Sequence, residues 1–132
     1  MNAADKFPAP INSFVVDVPK NQYYDFELDA NSTYPLKGVT YPVDYGNIPG
    51  YTAEDGHELD LFMGTAYPGE LGFIIVYRGA DIPNEHKFYA GLDTSERDKI
   101  LEELQPVLIK HEQIKDLDAL LAMIDRFRGG HE

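Results

Sequence analysis

Two aspartates five positions apart, with a histidine between them, form the group of residues best suited to chemistry: Asp55-Gly56-His57-Glu58-Leu59-Asp60. Carboxylates brought together in this way hold hard cations through oxygen, and an imidazole beside them can ligate a metal or move a proton. Asp55 precedes a glycine, as in a turn. Asp60 lies one step into an apolar segment, Leu59-Asp60-Leu61-Phe62-Met63. In a strand, Leu59 and Leu61 share one face and Asp60 takes the other, so its carboxylate is either solvated or aimed into a polar cavity.

The elements that must position this turn are short and closely punctuated. Phe14-Val15-Val16-Asp17-Val18 is an apolar run stopped by Pro19, and Tyr24-Asp25-Phe26-Glu27-Leu28 alternates with period two. Gly72-Phe73-Ile74-Ile75-Val76-Tyr77 reads as a buried strand, and Lys87-Phe88-Tyr89-Ala90-Gly91-Leu92 as another. The frequent Pro and Gly between them favour a small closed or half-open barrel over roughly residues 14–92. Residues 94–128 read as helical. Thr94-Ser95 opens a segment with Ile100, Leu101, Leu104 and Leu108 at helical spacing, Ser95 and Asp98 fit a capping box, and Pro106 ends or kinks it. Asp116 starts a second helix with Leu117, Leu120, Leu121, Ile124 and Phe127 on one face, and Gly129-Gly130 stops it. Both apolar stripes are expected to pack on the barrel.

The chain of 132 residues is of a length for one domain, and its 43% hydrophobic content, with nine Tyr and seven Phe, is that of a folded globule. Cysteine is absent, which excludes disulfides and thiolate chemistry. The formal net charge of -12 disfavours nucleic acid and anionic lipid as partners and favours divalent cations. No apolar run reaches the roughly eighteen residues of a membrane span, and the N-terminus lacks signal-peptide character, so a cytoplasmic protein is expected.

Upstream of the acidic turn stands Tyr41-Pro42-Val43-Asp44-Tyr45-Gly46-Asn47-Ile48-Pro49. Together the two stretches resemble the signature of the family I soluble inorganic pyrophosphatases, Tyr-Pro-x-Asn-Tyr-Gly-x-Ile-Pro followed by Asp-Gly-Asp-Pro-Leu-Asp. Val16-Asp17-Val18-Pro19, Phe26-Glu27-Leu28-Asp29 and Thr65-Ala66-Tyr67-Pro68 are similar to weaker family motifs. The resemblance implies an α+β, mainly β fold: a small OB-like five-stranded barrel with about two flanking C-terminal helices. It implies hydrolysis of pyrophosphate to two phosphates by metal-activated water, with Mg²⁺ as cofactor, and assembly into a homo-oligomer.

By position, Asp55 and Asp60 match metal ligands, and Tyr45 matches a tyrosine that reaches toward phosphate. Asp17 and Glu27 match supporting acids. Asp81, Glu85 and Lys87 are similar to a later group that supplies metal ligands and a phosphate-binding lysine. Residues 1–92 contain five cations, Lys6, Lys20, Lys37, Arg78 and Lys87. Of these, Lys37, Arg78 and Lys87 are the candidates for holding substrate. Lys37 stands only approximately where the family has an arginine, Asp25 stands where it has a lysine, and Lys110 and Lys115 are weak counterparts of its C-terminal cation. His57 replaces an aspartate that helps to deprotonate water. It is a working replacement with a bias toward Mn²⁺ or Zn²⁺, the mark of a lost mechanism, or a solvated side chain. Two alternative functions follow: a catalytically impaired metal- or phosphate-binding regulatory protein, or a hydrolase of another phosphoanhydride. His86 and His111 have no supporting constellation in the sequence and read as solvated or core-edge residues.

Overall fold

In the computed structural model, residues 3–25 and 37–128 are described. Eight strands alternate with short turns before and between two helices. The strands are β1 (Val15–Val18), β2 (Tyr23–Asp25), β3 (Gly38–Thr40), β4 (Asp44–Thr52), β5 (Glu58–Met63), β6 (Glu70–Val76), β7 (Glu85–Leu92) and β8 (Leu108–Ile114). The helices are α1 (Thr94–Leu104) and α2 (Leu117–Asp125). The fold is mainly β. Six strands form one mixed sheet in the order β1-β4-β5-β7-β6-β8, and β2 and β3 pair as a separate ribbon. All neighbours in the large sheet are antiparallel except β5 and β7, which run parallel at its centre.

Alternation within the strands sorts the apolar side chains onto two faces. One face carries Ile48, Leu59, Leu61, Phe73, Phe88 and Ala90, covered by Leu120 and Ile124 of α2, by Phe7 just after the first N-terminal 3-10 turn (Ala3–Lys6) and by Ile11 of the second (Ile11–Ser13). The other carries Tyr45, Phe62, Ile74, Val76 and Tyr89, covered by Ile100 and Leu104 of α1. Burying a side chain such as Leu59, Leu61 or Phe88 contributes roughly 1.5–3 kcal/mol each, so both helices are held by packing. Among the described residues no helix is long and apolar enough to cross a membrane.

Several expectations need correction. The large sheet has six strands where five were expected, and the segment after residue 94 is not wholly helical. After α1, Pro106 sits in a 3-10 turn (Gln105–Val107) and the chain continues as β8 on the edge of the sheet. The cap of α1 is Asp93, whose carboxylate accepts from the Glu96 N–H while Glu96 caps the Asp93 N–H in return. Ser95 and Asp98 fit the same spacing, but glutamate at the third helical position reaches back better than aspartate. Phe26 to Leu28, and the stop at Gly129-Gly130, lie outside the described residues.

Candidate functional site

Three strands put one polar row on the α1 face of the sheet. Asn47 of β4 stands opposite Asp60 of β5, and Asp60 stands opposite Lys87 of β7. Tyr45 and Glu85, two residues along their strands from Asn47 and Lys87, share that face. Asp60 thus points away from the face of Leu59 and Leu61, into a cavity and not into open solvent.

The row forms a tight network. The Lys87 ammonium donates to Tyr45 Oη at 2.6 Å and to Asp60 Oδ2 at 2.8 Å. The Tyr45 hydroxyl donates to the same Asp60 oxygen at 2.6 Å. Glu85 Oε1 lies 3.2 Å from Lys87 Nζ and accepts from Arg78 at 2.9 Å, and Arg78 reaches Asp55 at 3.9 Å. Burial pulls the Lys87 ammonium down, but Asp60, Tyr45 and Glu85 together hold it well above the usual lysine range. Burial, followed by the Asp60 charge, pushes the Tyr45 hydroxyl up, so it stays protonated. Burial also raises the Asp60 carboxyl, and Glu85 adds to this against the opposing pull of Lys87 and Tyr45.

The remaining members come from irregular backbone. Asp17 falls where the β1–β4 register slips between Val16 and Val18, so it is the extra residue of a bulge. The bulge lets it accept from Asn47 Nδ2 at 2.8 Å. Gly46 permits this approach of β1, because a Cβ there would lie 1.8 Å from the Val15 carbonyl oxygen. Asp55 sits in the β4–β5 turn, where Gly56 has a φ of 85°, a conformation that favours glycine. Asp55 Oδ1 accepts from the His57 N–H at 3.0 Å, and Ala53 donates to the His57 carbonyl at 2.8 Å.

These side chains line a cleft of about 510 Å³ that holds Asp17, Tyr45, Asp55, His57, Asp60, Arg78, Glu85 and Lys87. Two proposed members are elsewhere. Lys37 is exposed just before β3, and Asp81 is exposed in the β6–β7 loop; neither lines the cleft. The side chain that follows the loop into β7, Glu85, is the acid that faces inward. Glu27 lies outside the described residues. Glu58 of the acidic turn also lines the cleft, as do Asn47 and a wall of Gln22, Tyr23 and Tyr24 that no motif in the sequence had marked. Asn47 could have been found, since it has the same strand parity as Tyr45.

Neither His86 nor His111 is simply solvated. His86 holds Glu54 twice, its backbone N–H donating to Oε1 at 3.1 Å and its ring Nδ1 pairing with Oε2, while the ring packs on Phe73 and Phe127. His111 Nε2 bonds the Tyr89 hydroxyl at 2.7 Å, and burial pushes that hydroxyl up to about 12.

The cleft lining has five acids, Asp17, Asp55, Glu58, Asp60 and Glu85, against two cations, Arg78 and Lys87. Among the described residues no three Asp, Glu or His side chains converge as a metal-holding group. The donor chemistry still fits Mg²⁺, which is commonly held by one or two carboxylates together with waters and substrate phosphates and not by an all-protein cage. Comparison with known proteins adds no relative: no family model, curated protein or solved structure matches the chain.

Proposed function

We propose that the cleft hydrolyses a phosphoanhydride, with inorganic pyrophosphate as the substrate and Mg²⁺ as the cation. The observation that carries this reading is the meeting of Asp17, Tyr45, Asp55, His57, Asp60, Arg78, Glu85 and Lys87 in one cleft, from segments far apart in the chain. Tyr45, Asp55 and Asp60 belong to the stretch that resembles the pyrophosphatase signature and Asp17, Glu85 and Lys87 to weaker likenesses on either side of it, whereas His57 replaces the signature's aspartate and Arg78 has no matched position. The implied OB-like barrel and homo-oligomer belong to the same proposal.

Asp55 and Asp60 would hold the cation together with waters and substrate phosphate, Asp17 would act beside them as a supporting acid, and His57 would incline the site toward Mn²⁺ or Zn²⁺. The chemistry such a cation supplies is charge neutralisation on the phosphates and Lewis acidity toward water. The chain's own side chains do the rest. Lys87, kept protonated by its three acceptors, offers a fixed positive charge to a phosphate oxygen. Arg78 offers a planar fork to the other phosphate. The Tyr45 hydroxyl, already polarised by Lys87, donates to whichever oxygen displaces Asp60 Oδ2. His57, exposed at the lip, can take a proton from water.

Phosphate release from pyrophosphate, measured with Mg²⁺, Mn²⁺, Zn²⁺ and Co²⁺ in turn, tests the proposal. Release is expected to require a cation and to vanish in Asp60→Asn; unchanged turnover in that variant refutes the reading. A second reading, binding of metal or phosphate esters without turnover, is favoured by one observation. Both cleft cations already pair with carboxylates, Arg78 with Glu85 and Lys87 with Asp60 and Glu85. Calorimetric binding of pyrophosphate with no phosphate released would select it.

A further inference from the structure

One wall of the cleft is uncharged. It consists of Gln22, Tyr23 and Tyr24, where the chain enters the β2–β3 ribbon. Tyr23 is held from behind: a Cβ on Gly38 of β3 would lie 2.2 Å from the Tyr23 hydroxyl oxygen and 2.4 Å from Cζ, so the phenol end rests against the bare Cα of that glycine. Despite this backing Tyr23 remains 57% exposed, and Tyr24 beside it 40%. A phenol anchored at its tip while more than half of the side chain stays open, in the lining of a cleft, offers a surface on which a planar group can stack.

Two further observations say what would stack there. The cleft, about 510 Å³, is of the size that takes whole small organic molecules and far exceeds what a diphosphate fills. Its cations are few and already paired, so a substrate held by phosphate contacts alone would be held weakly. A planar base on Tyr23 supplies binding that does not depend on those cations.

We propose that the cleft accepts a nucleoside 5′-diphosphate, its base stacked on Tyr23 and its phosphates directed to Lys87 and Arg78. This rests on the phosphoanhydride reading above. In the step, the oxygen of water bonds to the terminal phosphorus while the bond from that phosphorus to the bridging oxygen breaks. The bridging oxygen leaves with the electron pair on the nucleoside monophosphate, and the proton lost by water passes to solvent. Nothing is oxidised or reduced.

The test compares phosphate release from ADP and from pyrophosphate, both with Mg²⁺, in the unaltered chain and in Tyr23→Phe, Tyr23→Ala and Gly38→Ala. Tyr23→Phe keeps the ring, and the KM for ADP should stay within about twofold. Tyr23→Ala removes the platform and Gly38→Ala displaces it, and each should raise the KM for ADP roughly 5- to 150-fold, the span measured for loss of one base-stacking aromatic. The KM for pyrophosphate should be unchanged in all three. Hydrolysis of pyrophosphate but not ADP overturns the inference and leaves the phosphoanhydride reading intact, and equal KM shifts for both substrates also overturn the inference. Release from neither substrate overturns the phosphoanhydride reading. In that case ADP titration by calorimetry decides the platform: binding weakened at least fivefold by Tyr23→Ala upholds it, and no binding removes it.

Discussion

Lys87 and Asp60 stand side by side on the two parallel strands at the centre of the sheet, with the ammonium nitrogen 2.8 Å from the carboxylate oxygen. The lysine side chain is 5% exposed and the aspartate 18%, so neither charge is well served by water without the other.

Removing the cation should therefore be costly. Lys87→Met leaves Asp60 and Glu85 facing each other across a low-dielectric space, and it is expected to destabilise the fold by about 3 kcal/mol, the lower end for a broken buried pair because Asp60 keeps some solvent. Urea unfolding measures this directly. A loss under about 1 kcal/mol would mean that the pair is solvated and that its tight geometry carries little energy.

The grip of His86 on Glu54 ties the acidic turn to β7 between Glu85 and Lys87, and it should depend on pH. Burial raises the Glu54 carboxyl, but the bonds from His86 outweigh this and the net value lies below the ordinary 4.5. A carboxyl lowered by folding contributes stability above its unfolded value and loses that contribution as pH falls through the folded one. Because the Glu54 carboxylate is partly exposed and screened by solvent, Glu54→Gln should cost at most about 1 kcal/mol near neutrality, and the gap between variant and parent should close as pH drops below about 4.5. Unfolding curves taken from neutral to strongly acid pH check the sign; a gap that survives at the acid end contradicts it.

Gly46→Ala tests whether the site depends on the approach of β1. Its Cβ would meet backbone, not a movable side chain, so β1 must be displaced and Asp17 with it. The expected cost is about 3 kcal/mol, at the upper end for overpacking. Faster amide exchange should be confined to the β1–β4 pairing. A variant with unaltered exchange and stability would show that β1 can shift freely.

His57→Asp restores the carboxylate that the resembled signature carries at this position. It should raise Mg²⁺-dependent phosphate release at least tenfold and reduce any preference for Mn²⁺ or Zn²⁺. If release falls instead, the imidazole is itself part of the working site.

Much of the sheet could be read from period-two alternation, because Leu59 and Leu61 are driven to one side by burial and leave Asp60 to the other. β8 could not be read in this way. All of its residues are partly or fully exposed, so Leu108 to Ile114 show no apolar alternation, and Leu108 happens to continue the spacing of Ile100 and Leu104. The site shows a similar division. Asp55, His57 and Asp60 are close in sequence and were visible as a group. The choice of Glu85 over Asp81 depends on where the β6–β7 loop ends and the strand turns its side chains inward, which composition does not encode. The grip of His86 on Glu54 joins residues 32 positions apart and leaves no local pattern.

The parallel pairing of β5 with β7 has a consequence for how the chain matures. Asp60 and Lys87 come from strands separated in the chain by the whole of β6, so the cleft exists only where β5 and β7 have paired across that connection. Whatever molecule occupies it recognises only the finished chain. Its occupancy therefore draws the whole population toward the native form in proportion to ligand concentration, and the protein is sturdiest when its cleft is in use.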